Sequence, residues 1–134
     1  MSTATTVSTV LHLAFAGLWT GSVLFVAVGV LPAASGSYAL DRVLNRLAWV
    51  TRASAVVLLL TGGHLFAADY SVGGLTASTR GWLVVAMVVL WLALTGLVEA
   101  GVARGEEAGA RLLQGGAVLA TLLLVDAGLL AAGV

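Results

Sequence analysis

The chain has no cysteine and no lysine, a single proline, and only 9% charged residues among its 134 residues. The absence of cysteine excludes disulfides, thiolate metal sites, iron–sulfur clusters and a cysteine nucleophile. The absence of lysine excludes Schiff-base chemistry. Six basic residues, all arginine, balance six acidic residues. This balance excludes a nucleic-acid-binding protein that acts through a basic surface.

Apolar residues are abundant: they make up 60% of the chain, and its mean hydropathy is +1.11. A soluble domain of this size could not hide so much apolar surface, because small domains bury only about two thirds of what the chain exposes. Four apolar runs are long enough to cross a bilayer, and they lack the alternation of strands. We therefore predict an all-α integral membrane protein, a single domain over residues 1–134. Its four spans lie at about 10–31, 49–68, 81–103 and 112–133.

Boundaries and orientation follow from proline and arginine. Pro32 is expected to end the first span. Five arginines lie around the first and third connections, and only Arg80 lies in the second. The positive-inside rule then predicts a multi-pass cell-membrane protein with both termini outside. The segment from Leu40 to Leu47 has helical spacing, which indicates an interfacial helix entering the second span or, alternatively, a solvated loop.

The chain has two histidines, and both lie in predicted spans. His12 is near the start of the first span and His64 near the end of the second, so antiparallel neighbours would place them at one depth near the outer face. Two imidazoles there could hold a metal ion or a haem iron, and Met87 could add a thioether ligand. The alternatives are hydrogen-bonded interfacial histidines and simple core packing of Met87.

Asp126 is the one acidic residue well inside the outer half of the predicted bilayer. A carboxylate there should point into the bundle, where it could orient a ligating imidazole from the second coordination shell. The alternative is a protonated acid bonded to Thr20 or to a backbone carbonyl. Trp19 follows His12 by two helical turns on the same face, so it either walls the histidine site or packs.

Two further groups of residues are predicted to be structural. Arg52 and Glu99 lie at matched depth near the cytoplasmic ends of their spans, which indicates an ion pair or snorkelling side chains. Small residues let membrane helices approach closely, and the helix-packing candidates include the following glycines: Gly17, Gly21, Gly62 and Gly63.

The run from Leu11 to Gly21 contains His12, six intervening residues, Trp19, one residue and Gly21. This run resembles the first helix of the copper-resistance D (CopD) family, as does the arginine-rich stretch leading to Leu60-Thr61-Gly62. The resemblance implies a polytopic helical fold and a role in moving copper across the membrane, with His12 and Trp19 as the carried-over residues. The same spacing resembles HemJ-type protoporphyrinogen oxidases, which bind haem b. The chain lacks their membrane lysine and differs from them after Trp19, so the second resemblance does not extend to oxidase chemistry and leaves haem binding open.

Three functions follow as hypotheses. The first is a copper-handling membrane protein that uses His12, His64 and Met87. The second is a haem b protein, an electron carrier or a HemJ-like enzyme, with His12 and His64 as axial ligands. Contact between the two histidine-bearing spans favours a bare ion, and a diagonal placement favours haem. The third is an accessory subunit without a cofactor. No catalytic residues are assigned, and we expect binding or transport rather than catalysis. Expected partners are the lipid bilayer and a homo-oligomer or larger membrane complex.

Overall fold

A computed structural model gives the fold and describes residues 2–34, 38–104 and 106–133. These residues form helices almost throughout and, within the described ranges, no strand, as the all-α prediction required. The bounds in chain order are α1 Thr3–Phe25, a π-helical turn Val26–Val30, α2 Leu31–Ala34, α3 Tyr38–Asp69, a 3-10 turn Val72–Ala77, α4 Thr79–Arg104 and α5 Glu106–Ala131.

Pro32 does not end the first helix, contrary to the prediction. Helix continues through it as α2, and the preceding π-helical turn explains how. The backbone N–H of Leu31 bonds to the carbonyl of Val26, five residues back, so the turn is wider than an α-turn. A wider turn just before a proline accommodates the ring and the missing N–H without breaking the helix.

The second span belongs to a helix longer than predicted. α3 has 32 residues and includes the segment from Leu40 to Leu47, for which the sequence predicted an interfacial helix or a solvated loop. Leu40, Leu44 and Leu47 are buried in the same core cluster as residues of the other helices. Of the two alternatives, the helix is the one observed, and its leucines pack against the bundle. Its position relative to the membrane surface stays a prediction.

The four long helices pack in a ring. α4 packs along α5 and α1 along α3, and these two pairs join where α1 meets α5 and α3 meets α4. The order around the bundle is therefore α1, α3, α4, α5. Gly101 and Gly109 allow α4 and α5 to approach closely, because a Cβ at Gly109 would collide with the carbonyl oxygen of Gly101.

Four helical segments are long and apolar enough to cross a membrane: Thr3–Ala33, Ala39–Asp69, Thr79–Arg104 and Ala108–Ala131. Large apolar side chains cover the outside of the bundle, for example Phe25 at 69% and Leu60 at 69% exposure. Such an extended apolar surface is unfavourable in water and favourable in contact with lipid hydrocarbon. The structure is thus that of a multi-pass membrane protein in a lipid environment.

The two ends of the bundle differ in their polar residues. The histidine end is where α1 and α4 begin and α3 and α5 end, and it carries His12 and His64. The arginine end is the opposite one, and it carries Arg42, Arg46, Arg104 and Arg111. Between the two ends the core is filled by the largest fully buried side chains, which are Trp19, Val23, Leu94, Val98 and Leu113.

Candidate metal centre

His12 joins α1 to α3 at the histidine end. Its side chain is half-buried, and its Nδ1 lies 2.9 Å from the Oγ1 of Thr61. The ring also rests on Gly62, where an added Cβ would be 3.2 Å from His12 Cε1. The glycine therefore makes room for the imidazole, and the threonine holds it by one nitrogen.

The second hydrogen bond of Thr61 decides which nitrogen of His12 carries the proton. The Thr61 hydroxyl lies 2.7 Å from the carbonyl oxygen of Val57, one turn earlier in α3. A hydroxyl has one proton, and a carbonyl can only accept it. We therefore assign the Thr61 proton to Val57 and the Nδ1 proton of His12 to Thr61. In the neutral imidazole the Nε2 atom then keeps its lone pair, which is the state a metal ligand requires.

Trp19 makes a similar contact two turns further along α1. Its Nε1 donates to the Oγ1 of Thr51 at 2.9 Å. Both residues are almost fully buried, Trp19 at 1% and Thr51 at 0% exposure. The indole therefore packs in the centre of the bundle, below the level of His12, and anchors α1 to α3 there.

Asp126 lies at the level of His12 on the neighbouring helix α5. The two helices can be aligned at Gly116, where an added Cβ would be 3.6 Å from Val23 Cγ1. Asp126 is ten residues beyond Gly116 and His12 eleven before Val23, so both lie about 15–16 Å from that point toward the histidine end. Asp126 and His12 therefore lie at the same depth to within about one residue's rise, and not about one turn apart.

The surroundings of Asp126 differ from both predictions. Its side chain is 6% exposed, and its buried Oδ2 has no hydrogen-bond partner among the residues that the structure describes. Thr20, the proposed partner, donates to the carbonyl of Ala16 instead. Nor does His12 offer a proton for a second-shell bond, because its one N–H is given to Thr61. Thr61 is the side chain hydrogen-bonded to His12 in this structure, and an orienting role of Asp126 toward a bound metal stays a prediction.

His64 and Met87 are placed less closely. His64 is exposed on α3, two residues past the glycine that touches His12, and within the described ranges it forms no hydrogen bond. Met87 is half-buried against the core. It lies seven residues before Leu94, which meets Gly116, and is therefore about 5 Å deeper than Asp126. That these two side chains share one ion with His12 stays a prediction.

Arg52 and Glu99 form the predicted ion pair between α3 and α4. Arg52 Nε and Nη2 donate to the two carboxylate oxygens at 2.9 and 2.8 Å. The two helices are thereby joined near the arginine end, well away from His12. The pair neutralises both charges.

Of the four predicted packing glycines, only Gly62 packs within the chain. An added Cβ at Gly17, Gly21 or Gly63 would meet nothing within 4 Å. These three glycines face outward in the single chain, so their role in helix packing stays a prediction. An oligomer formed through the outward face of α1 stays a prediction.

Thr61 and Thr51 were missed by the sequence reasoning. A signal for them exists: the polar residues Thr51, Ser54 and Thr61 recur at helical spacing along one face of an otherwise apolar span. All three are buried, at 0%, 0% and 7% exposure. Two of them, Thr51 and Thr61, hydrogen-bond to side chains of α1, whereas Ser54 Oγ has no partner among the described residues.

The sequence predicted a metal site with imidazole and thioether donors at the histidine end. Within the part of the chain that the structure describes, no three side chains of histidine, aspartate or glutamate form a group that could hold a metal ion. A site formed by His12, His64 and Met87 therefore stays a prediction. Its donors, imidazole and thioether, are ligands preferred by soft ions such as copper.

Comparisons with family models, curated proteins and solved structures gave no match to this chain. The resemblance to copper-resistance D and HemJ-type proteins therefore stays a prediction from the residues of α1.

Proposed function

We propose that this multi-pass membrane protein binds one transition-metal ion, copper, at the histidine end through Nε2 of His12. The observation that carries the proposal is the contact between His12 Nδ1 and Thr61. It fixes the ring and leaves the second nitrogen unprotonated. Ligating histidines commonly donate their other N–H to a fixed acceptor, which sets the tautomer and the orientation of the ring.

The remaining donors support copper over harder ions. Met87 offers a thioether within two helical turns of the His12 level, and His64 offers a second imidazole on the same helix as Thr61. The chain has no cysteine, so sulfur ligation can come only from methionine. Imidazole and thioether together suit both oxidation states of copper.

Direct contact between α1 and α3 supports an ion over a haem held by two histidines. Packed helices lie about 8–10 Å apart, which leaves little room for a macrocycle between ligands on adjacent faces. A haem b held by His12 and His64 is the second candidate, as an electron carrier or a HemJ-like protein. An accessory subunit without a cofactor is the third. The copper and haem content of the purified protein distinguishes these three candidates.

Asp126 would compensate the charge of the ion. A cation in the apolar part of a bilayer needs a counter-charge or extensive polar contacts. Asp126 is buried at the level of His12, and its Oδ2 has no partner among the described residues. We assign it the role of an anion near the ion, in place of the imidazole-orienting role expected from the sequence.

Binding is better supported than movement across the bilayer. Between the His12 level and the arginine end, the bundle is filled by fully buried side chains such as Trp19, Leu94 and Val98. Transport of copper would require these side chains to separate. This closed conformation is therefore either one state of a copper transporter or the conformation of a protein that binds copper without moving it.

In the cell membrane, we place the arginine end in the cytoplasm and both termini outside, according to the arginine bias. Because the chain lacks cysteine, single cysteines report topology cleanly. A membrane-impermeant thiol reagent applied to intact cells should label a Thr76→Cys variant and leave an Ala108→Cys variant unlabelled. Both positions are exposed. Labelling of Ala108→Cys alone would reverse the orientation.

The function is tested on protein purified in detergent, incubated with copper and freed of excess ion. Wild-type protein should retain about one equivalent of copper, and His12→Ala should retain none. Trp19→Phe serves as the control, because it alters the other ring-to-threonine contact and leaves His12 intact. A Soret band in the purified protein would show that the bound group is haem and not copper. Absence of both retained copper and haem would leave the accessory-subunit hypothesis.

A further inference from the structure

The outward face of α5 carries an amide side chain at a depth where lipid hydrocarbon is expected. Gln114 is exposed, and among the described residues it has no hydrogen-bond partner. The spanning segment is Ala108–Ala131, so Gln114 lies about 8 Å from its middle and about 7 Å inside the edge of a hydrocarbon layer about 30 Å thick. We propose that this face of α5 is the contact between two copies of the chain, joined by hydrogen bonds between their Gln114 amides. The proposal does not depend on metal binding at the histidine end.

The amide of Gln114 requires a partner from outside its own chain. A polar group in hydrocarbon is strongly unfavourable unless its donors and acceptor are bonded. Lysine and arginine can reach the membrane surface through their long stems, but glutamine has a shorter side chain. The chain has one other amide side chain, Asn45, and that residue lies at the arginine end. Gln114 is thus the amide that lipid alone would leave unsatisfied.

A second copy of the chain matches this amide. The carbonyl oxygen of a glutamine side chain accepts and its NH₂ group donates, so two glutamines can bond to each other reciprocally. Copies in one membrane have the same topology, and a twofold axis along the membrane normal brings identical residues face to face. Each Gln114 can then donate to the carbonyl of the other. Glutamine side chains are among those that join membrane helices by hydrogen bonds.

The spacing of the exposed residues on α5 suits a pair of parallel helices. Positions separated by alternating steps of four and three residues form one narrow stripe, as in a left-handed helix pair. The stripe consists of Gln114, Val118, Thr121, Val125 and Gly128, all exposed. Val118 is 61% and Val125 is 55% exposed, so their apolar surface is available to a partner. The stripe runs along most of the span and is therefore long enough for an interface.

The two remaining members of the stripe leave the contact unobstructed. The Thr121 hydroxyl already donates to the carbonyl of Ala117 in the same helix, so it needs no partner. A Cβ added at Gly128 would meet nothing within 4 Å, and a small residue there lets a second backbone approach closely. Val118 and Val125 can then pack against their own copies between Gln114 and Gly128.

The outward face of α1 is the competing interface. Gly17 and Gly21 are exposed there and lie four residues apart, a spacing found at contacts between membrane helices. Neither glycine has a polar side chain that lipid would leave unsatisfied. Lipid can therefore cover this face, and α1 provides a position with which the assignment to α5 can be compared.

Disulfide formation in native membranes locates the contact. Single cysteines report it cleanly, because the chain has none of its own. With iodine as a copper-free oxidant, Val118→Cys and Val125→Cys should each form a covalent dimer, since a parallel twofold pair brings each residue close to its own copy. Two control variants should cross-link about tenfold less: Val89→Cys, similarly exposed on α4 at 59%, and Gly21→Cys on α1. Preferential cross-linking of Gly21→Cys, equal cross-linking of all four variants, or none at all would overturn the assignment to α5.

Energy transfer between labelled copies in liposomes tests the amide pair itself. A fluorophore on Thr76→Cys reports dimers, and the protein density in the bilayer is varied. Gln114→Leu should require about tenfold higher density for half dimerisation, because the hydrogen bonds between the two helices are lost. Asn45→Leu makes the same chemical change on α3 and should shift the midpoint by no more than about twofold. Gln114→Asn should restore part of the dimerisation. An unchanged midpoint in Gln114→Leu, or equal shifts in Gln114→Leu and Asn45→Leu, would overturn the proposal.

Discussion

The same kind of contact joins α1 to α3 at two levels, and the difference between them separates structure from function. At the centre of the bundle the indole of Trp19 donates to Thr51, and both residues are fully buried. At the histidine end the imidazole of His12 is hydrogen-bonded to Thr61, and this imidazole is half-exposed. An indole has a single nitrogen, so its bond to threonine leaves no polar atom that could bind a ligand. An imidazole has two, and the same bond leaves one of them available for a ligand.

The two rings also differ in what surrounds them at their two depths. The Trp19 level is closed by the largest buried side chains of the core, so a ring there contributes packing and one hydrogen bond. The His12 level carries a glycine against the ring and an acidic residue on the next helix. Loss of the first contact should therefore cost stability, and loss of the second should cost ligand binding.

The largest expected effect is on stability. Trp19→Ala should lower the free energy of unfolding in detergent by about 3–5 kcal/mol, because it removes a fully buried aromatic side chain. Trp19→Phe keeps most of the volume and should cost about 1–3 kcal/mol for the lost hydrogen bond to buried Thr51. Chemical unfolding followed by circular dichroism measures both. His12→Ala should lower the free energy of unfolding least among the three variants. A larger decrease in His12→Ala than in Trp19→Ala would contradict the assignment of stability to the Trp19 contact.

The next effect is on binding through Thr61. Thr61→Val keeps the shape of the side chain and removes the acceptor of the His12 N–H, so it should weaken copper binding by about 10–100-fold. Thr121→Val is the matched control. Its hydroxyl also bonds to the carbonyl four residues back, but it is exposed on α5. Equal copper affinity in the two variants, measured by competition with a chromophoric chelator, would show that Thr61 does not orient a ligand.

Asp126 should matter through its charge. Asp126→Asn keeps the size of the side chain and removes the anion, so it should weaken copper retention by about tenfold. If charge is the reason, Cu(II) should lose more affinity than Cu(I), because the attraction scales with the charge of the ion. Equal losses for the two ions would point to a change in packing. Unchanged retention would remove Asp126 from the site.

The smallest expected effect concerns the glycine beneath the imidazole. Gly62→Ala places a Cβ 3.2 Å from His12 Cε1, so the ring must shift by a few tenths of an ångström. Copper affinity should fall only a few-fold, since the side chain is half-exposed and can adjust. Gly63→Ala is the control, because a Cβ there meets nothing within 4 Å. Identical affinity in the two variants would show that the ring is not held against α3.

The sequence was sufficient to predict what depends on position along a helix. Span number, helical class and the pairing of Arg52 with Glu99 all follow from residue counts and the rise of a helix. The passage of helix through Pro32 was missed, because a π-helical turn has no sequence signature as simple as the proline that it accommodates.

What the sequence did not reveal was the rotation of each helix about its own axis. In a soluble bundle the apolar face identifies the core, but here lipid and core are both apolar. Gly17 and Gly21 therefore seemed as suitable for internal packing as Gly62, although only Gly62 faces a neighbouring helix. The contact of His12 with Thr61 joins residues 49 positions apart and depends on this same rotation. The small polar side chains along α3 were the better guide to its inner face.

The proposal that His12 is a ready-made ligand is tested most directly by nitrogen NMR of the histidine side chains. Protein labelled with ¹⁵N-histidine and purified without metal should show His12 protonated at Nδ1 and unprotonated at Nε2. Addition of Cu(I) should shift the Nε2 resonance of His12 and leave its Nδ1 proton in place. A metal-free His12 protonated at Nε2, or a His12 spectrum that copper does not change, would contradict the account.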